Sequence, residues 1–258
     1  MFVAKTLNAL PEVTAFHEGH LLDGTPTQRL PLINLQNRKA WNDAAYAEKT
    51  VDELRSKEVL EQAAGGASLL VDVAFNNAPF LVPLAKRHPT SGFVAIFRRC
   101  EGFVRSATIV SGEDTQPAGW PDRDKPLTDR EKFISLGRLK PNKDSAYFDA
   151  WTDWSAIQRN IWLWTTVNTH LANFVKNGAL RRKVLFEDLI EEPDRFWVPL
   201  LQTLGVSTEA NRKKCMELST KKTNQRASYQ IGPVSEWSPA ERALYEELAR
   251  PLEDTIYG

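Results

Sequence analysis

The stretch ASLLVDVAF (67–75) and the later GFVAIF (92–97) decide the fold. Each is a nearly continuous apolar run, the pattern of a strand buried on both faces. Residues 78–87 between them read as a helix that His88-Pro89 breaks, and Arg98 through Ile109 reads as a second helix. Strand, helix, strand, helix in this rhythm predicts a parallel sheet with crossover helices.

Working upstream, Arg38 to Ala64 has a polar helical pattern closed by Gly65-Gly66. Residues 23–35 are broken by Gly24, Pro26 and Pro31, hence loop. VTAF (13–16) reads as a short strand feeding the polar turn His17-Glu18-Gly19-His20. MFVAKTLNAL places Phe2, Val3, Leu7 and Leu10 on one helical stripe that Pro11 ends.

Downstream, the Pro- and charge-rich stretch 111–146 is too long for a plain connector and reads as a lid (111–154 with its flank) over an acceptor region. Asp153 or Ser155 can cap a long helix running to about Lys176, with Ile157, Ile161, Trp164, Leu171 and Val175 on its apolar face. KVLFEDL (183–189) is a last strand turning into a helix. Helices at 194–204 and 208–219, a basic loop, and an amphipathic helix over about 239–256 complete the chain. No repeat or linker divides it, so 1–258 reads as one α/β domain.

Composition narrows the function. Among 258 residues, 33 Lys and Arg balance 33 Asp and Glu, which excludes a strongly basic nucleic-acid binder. The two cysteines, Cys100 and Cys215, lack any paired metal-ligand spacing, so no metal is expected and a reducing compartment is the easier reading. No apolar run approaches the ~20 residues of a membrane span, and no leader pattern opens the sequence. A cytoplasmic protein is expected.

In open α/β sheets, ligands bind beyond the carboxyl ends of the strands. His17, Glu18 and His20 follow the first strand, Asn76 and Asn77 the second, and Arg98 and Arg99 the third. Arg98 opens a helix, so its guanidinium would join the free N–H groups and the positive dipole end there. Ser106, eight residues on, lies close to the same face. An arginine with a hydroxyl in that geometry suits a phosphate; the plainer reading pairs Arg98 with a surface carboxylate.

The segment FVAIFRRCEGFVRS (93–106) resembles the 3′-phosphate-binding element of the sulfotransferase family, a hydrophobic strand ending in Arg with Ser eight positions later. LNALPEVTAFHEG is similar to that family's first helix, turn and following strand with its acidic residue. KVLFEDLIEEPDRFWVPLLQTLGV resembles the recurrent EDL…P…L…LG segment, KKTNQR its late basic loop, and WSAIQRNIWLWTTVN the tryptophan-rich helix of bacterial members. The likeness runs in order over most of the chain.

The resemblance implies a P-loop-like three-layer sandwich with a parallel central sheet, a helical lid and C-terminal helices. It implies transfer of a sulfonate from 3′-phosphoadenosine 5′-phosphosulfate, as co-substrate and without metal, to an acceptor hydroxyl or amine. Arg98 and Ser106 would hold the 3′-phosphate, with Lys221, Lys222 and Asn224 closing over it from the basic loop. Glu18 matches the position of an acidic base in several members. His17 and His20 are rivals, an unperturbed imidazole being near the ideal pKa; a carboxylate serving the turn is the plainer role for Glu18. The family's first strand and its Gly- and Ser/Thr-rich 5′-phosphosulfate loop would precede Phe2, so the sheet is expected to lack a central strand and the chain as given to bind the donor poorly. A degenerate nucleotide-binding member is one alternative. A P-loop small-molecule kinase, with Asp72 on Mg²⁺, is another, although no G-x-x-x-x-G-K-[ST] is present. His88 reads as a turn residue and His170 as a helix-interior hydrogen-bonding one. Trp151, Trp154, Trp162 and Trp164 read as acceptor-site lining or, more plainly, as core.

Overall fold

The computed structural model describes residues 2–21, 30–108, 119–121, 126–219 and 231–258; of His20 and Leu21 it describes the backbone alone. In chain order the elements are α1 (Phe2–Leu7), β1 (Val13–His17), β2 (His20–Leu21), α2 (Asn37–Asn42), α3 (Ala44–Leu54), α4 (Lys57–Ala64), β3 (Leu69–Val73), α5 (Leu81–Arg87), β4 (Phe93–Phe97) and α6 (Cys100–Ala107). There follow α7 (Asp129–Ser135), α8 (Ala156–Lys176), β5 (Arg181–Leu185), α9 (Asp188–Glu191), α10 (Pro193–Thr203), α11 (Glu209–Ser219), α12 (Pro239–Leu244) and α13 (Arg250–Tyr257). The chain is mixed α/β and mainly helical. None of its described helices is long and apolar enough to cross a membrane.

Two compact units share the chain: Met1–Ile96 with Phe174–Gln225, and Phe97–Asn173 with Arg226–Gly258. In the first, β1 runs parallel to β3 with Val13 opposite Leu69 and His17 opposite Val73. β2 returns antiparallel to β1 with His17 opposite His20. That register leaves Glu18 and Gly19 as a two-residue hairpin loop, both at positive φ (51° and 82°), as a type I′ turn demands. β4 and β5 form a separate two-stranded sheet, so the strands described here make two small sheets rather than the single sheet expected. The apolar run of β3, read as buried on both faces, is only half-buried at all five positions. Hydrophobicity had marked it as a strand, but full burial also needs a partner along each edge, and among the described residues only β1 pairs with it.

The apolar stripe of α1 closes on this sheet. Val3, Ala4, Leu7 and Leu10 bury against Val13, Ala15, Val184, Phe196, Trp197 and Leu201. Asn8 extends the sheet by side chain: its amide donates to the Ala15 carbonyl and accepts the Ala15 N–H, both at 2.6 Å. The helical pattern of 38–64 is divided into α2, α3 and α4 because Asp43 and Ser56 each start a new helix. Their side chains accept the N–H groups of Tyr46 and Val59, competing with continuation of the preceding helix.

In the second unit, Ser155 rather than Asp153 starts α8. Its hydroxyl accepts the Gln158 N–H while Gln158 Oε1 accepts the Ser155 N–H, a reciprocal cap. α8 is buried on more than the one expected stripe: Asn160, Ile161, Leu163, Trp164 and Val167 are all inside. Asn160 repeats the Asn8 device on Trp120, accepting its N–H at 2.7 Å and donating to its carbonyl at 2.9 Å. Of the lid stretch, residues 111–118 and 122–125 lie outside the described residues; the remainder carries α7, started by Thr128 and Glu131 as a capping box. The expected C-terminal helix is present as α12 and α13, joined through a π-helical turn at Tyr245–Ala249.

Candidate functional site

β4 ends at Phe97, Arg99 is extended (φ −54°, ψ 142°), and α6 starts at Cys100. The Arg98 carbonyl accepts the Trp164 indole N–H at 2.8 Å, fixing the turn. The Arg98 guanidinium lies back along the helix against Gly102: a Cβ there would stand 3.0 Å from Nε and 3.6 Å from Cζ. Glycine is what lets the guanidinium approach so closely. Ser106 is four residues beyond Gly102 and therefore on the same helix face, one turn along. Arg98 and Ser106 are thus brought to one face of α6. Arg105, beside Ser106, donates from Nε to the Ile231 carbonyl at 3.1 Å and pairs with Glu101 at 3.3 Å. The chain re-enters beside α6 at Ile231; Lys221, Lys222 and Asn224 lie outside the described residues.

The N-terminus of α6 departs from expectation. Its first N–H, that of Cys100, donates to Glu253 Oε1 at 2.6 Å, and Tyr245 donates its hydroxyl to Glu253 Oε2 at 2.6 Å. Glu253 is 3% exposed. One turn further on α13, the Tyr257 ring receives the Arg99 guanidinium at 4.3 Å. A carboxylate of the protein itself therefore takes the helix-end N–H expected to face a phosphate. Burial, and then the nearby Glu253 and Glu101, push the Cys100 thiol well above its usual range, which leaves it neutral and unreactive. No local pattern announces Glu253, because it acts on a residue 153 positions away.

In the other unit, the hairpin tip gathers the candidate bases. His17 Nδ1 donates to the Val73 carbonyl at 3.2 Å. In the neutral ring that tautomer puts the basic lone pair on Nε2. The Glu18 N–H donates to the same carbonyl at 3.2 Å, and Glu18 Oε1 accepts a long 3.5 Å bond from Asn76 Nδ2. His20 shares the hairpin through its backbone. Asn76 and Asn77 are buried on the turn after β3. Asp72 Oδ2 receives both Nε and Nη2 of Arg55, whose side chain is 3% exposed. That ion pair engages one carboxylate oxygen of Asp72 and leaves the other, Oδ1, buried without a hydrogen-bond partner among the described residues. The pairing escapes sequence reading because nothing in the pattern of 38–64 marks Arg55 as an inward residue.

His88 hydrogen-bonds the Arg55 carbonyl through Nε2 at 2.8 Å, just past the end of α5. His170 is half-buried on α8. The tryptophans are packed together: Trp151 meets Trp120, Trp154 and Trp162 at 5.3–5.7 Å between ring centres, and Trp164 is 1% exposed. Arg159 and Arg138 lie within 5.9 and 5.6 Å of the Trp120 ring, and burial pushes the Arg138 guanidinium down to about 10. This aromatic cluster belongs to the core of its unit. Comparison of the chain with protein-family models, with curated proteins and with solved structures finds no match.

Proposed function

We propose that the chain is a sulfotransferase of the 3′-phosphoadenosine 5′-phosphosulfate type, with its strands arranged as a P-loop-like three-layer sandwich, working in the cytoplasm. The observation that carries this reading is the Arg98 guanidinium lying against Gly102 with Ser106 one turn further on the same face. A guanidinium and a hydroxyl so placed at the end of a strand suit a ribose 3′-phosphate. The free, buried cysteines accord with a reducing compartment.

In the reaction, an acceptor oxygen or nitrogen attacks sulfur as the bond from sulfur to the bridging phosphate oxygen breaks, and the leaving nucleotide takes that electron pair. The acceptor proton passes to a base. Glu18 is the first assignment, held by Asn76 and by the hairpin; His17, whose Nδ1 donates to the Val73 carbonyl, and His20 are the rival bases. Arg98 and Ser106 bind and orient, and neither moves a proton.

Calorimetric titration with adenosine 3′,5′-bisphosphate and with adenosine 5′-phosphate isolates the 3′-phosphate. Wild type should prefer the bisphosphate, and Arg98→Ala should lose at least ~1.5 kcal/mol, about tenfold, for that ligand alone. Equal binding of the two nucleotides, or an unaltered preference in the variant, would overturn the assignment.

A further inference from the structure

Glu253 brings a negative charge, 3% exposed, to the end of the helix whose side carries Arg98 and Ser106. Its two oxygens are both engaged, by the Cys100 N–H and the Tyr245 hydroxyl. The Arg99 guanidinium stacks on Tyr257 of the same helix, α13, so the carboxylate is fixed there by contacts on both sides. Two physical consequences follow. The helix-end N–H, ordinarily part of an anion seat, is spent on the protein's own carboxylate. A phosphate approaching Arg98 and Ser106 also meets a like charge in a poorly solvated setting, where screening is weak.

We propose that Glu253 is an internal competitor anion that tunes the Arg98–Ser106 site, holding down its affinity for phosphate so that a bound nucleotide can leave. The proposal rests on reading that face of α6 as the phosphate site. Glu253 does not touch the reacting atoms. It is a positioning residue that acts through the helix end and its field.

The decisive variant is Glu253→Gln, which keeps an oxygen to accept the Cys100 N–H and removes the charge. It should bind adenosine 3′,5′-bisphosphate about fivefold more tightly than wild type, with the gain shrinking as salt is raised. Tyr245→Phe keeps the charge and loses one hydrogen bond; it should melt lower with affinity unchanged. A purely structural role for Glu253 would instead leave both variants weaker or equal in binding. A measurement on unmutated protein covers the case in which Glu253→Gln fails to fold. In a sulfate titration followed by backbone amide shifts, Gly102 and Ser106 should move while Cys100, committed to Glu253, stays; a Cys100 shift as large as theirs overturns the proposal. If wild type binds the bisphosphate through Arg98 and the Gln variant gains nothing, the competitor role fails and the sulfotransferase reading stands. If neither protein prefers the bisphosphate, yet sulfate shifts Gly102 and Ser106 at lower concentration in the Gln variant than in wild type, the competitor role stands and the functional reading fails.

Discussion

Glu18 sits at φ 51°, a left-handed backbone conformation that costs a residue with a Cβ roughly 1 kcal/mol. A type I′ hairpin prefers Asn or Gly at that position, so glutamate is a poor choice for the turn and its carboxylate needs another justification. The proposed base role supplies one. Glu18→Asn separates the two demands: the turn should gain about 1 kcal/mol, a rise of roughly 2–4 °C in Tm for a chain of this size. Turnover should fall about a hundredfold or more, the usual cost of losing a general base, while affinity for the bisphosphate is unchanged. Thermal melting and donor-dependent sulfonation assays read the two effects; wild-type turnover would transfer the base role to His17 or His20. The polar character of 17–20 was legible from the sequence, as was the presence of a turn. The strained φ was not, because it follows from the register His17 opposite His20, which a lone strand pattern does not specify.

Helix α6 shows how an element can be positioned by contacts on three sides. Trp164 holds the Arg98 carbonyl, Glu253 takes the Cys100 N–H, and Arg105 ties the helix to Ile231. Within it, Gly102 is unfavourable for helix formation by about 1 kcal/mol relative to Ala, yet it is where the guanidinium lies. Gly102→Ala should therefore raise or preserve Tm while weakening bisphosphate binding several-fold, since the new Cβ would stand 3.0 Å from Arg98 Nε and displace it. Wild-type affinity in this variant, with Arg98→Ala still impaired, would mean that the guanidinium reaches its ligand from another position. Strand followed by Arg and a helix with Ser106 was readable from local order. The role of Gly102 was not, since a glycine early in a helix signals only a propensity cost until the arginine's direction is known.

Across the whole molecule, β1, β3, β4 and β5 and most of the helices were found from their local patterns. By contrast β2, read as part of a turn, and α7, inside the lid stretch, were not, and neither were the partners. Arg55 with Asp72, Glu253 with Cys100, and the division of five strands into two sheets all depend on which segments meet. Such pairings leave no trace in composition or spacing. They do leave one in the response to alkali. Burial raises the Cys215 thiol to about 12, while Cys100 is raised well above its usual range. The Tyr245 hydroxyl is raised by burial and then by its bond to Glu253. All three are acids whose neutral form the fold protects. Once unfolded they release protons at their ordinary values, so the stability they confer is complete below about pH 8.5 and is lost as pH rises towards the folded values. Denaturant unfolding should show a flat plateau near neutrality and then a decline above pH 9 of ~1.4 kcal/mol per pH unit for each thiol, with Tyr245 joining near pH 10. Cys215→Ala should lower the plateau by removing a buried side chain and should flatten the decline. An undiminished alkaline slope in a Cys100→Ala, Cys215→Ala double variant would show that other groups govern it.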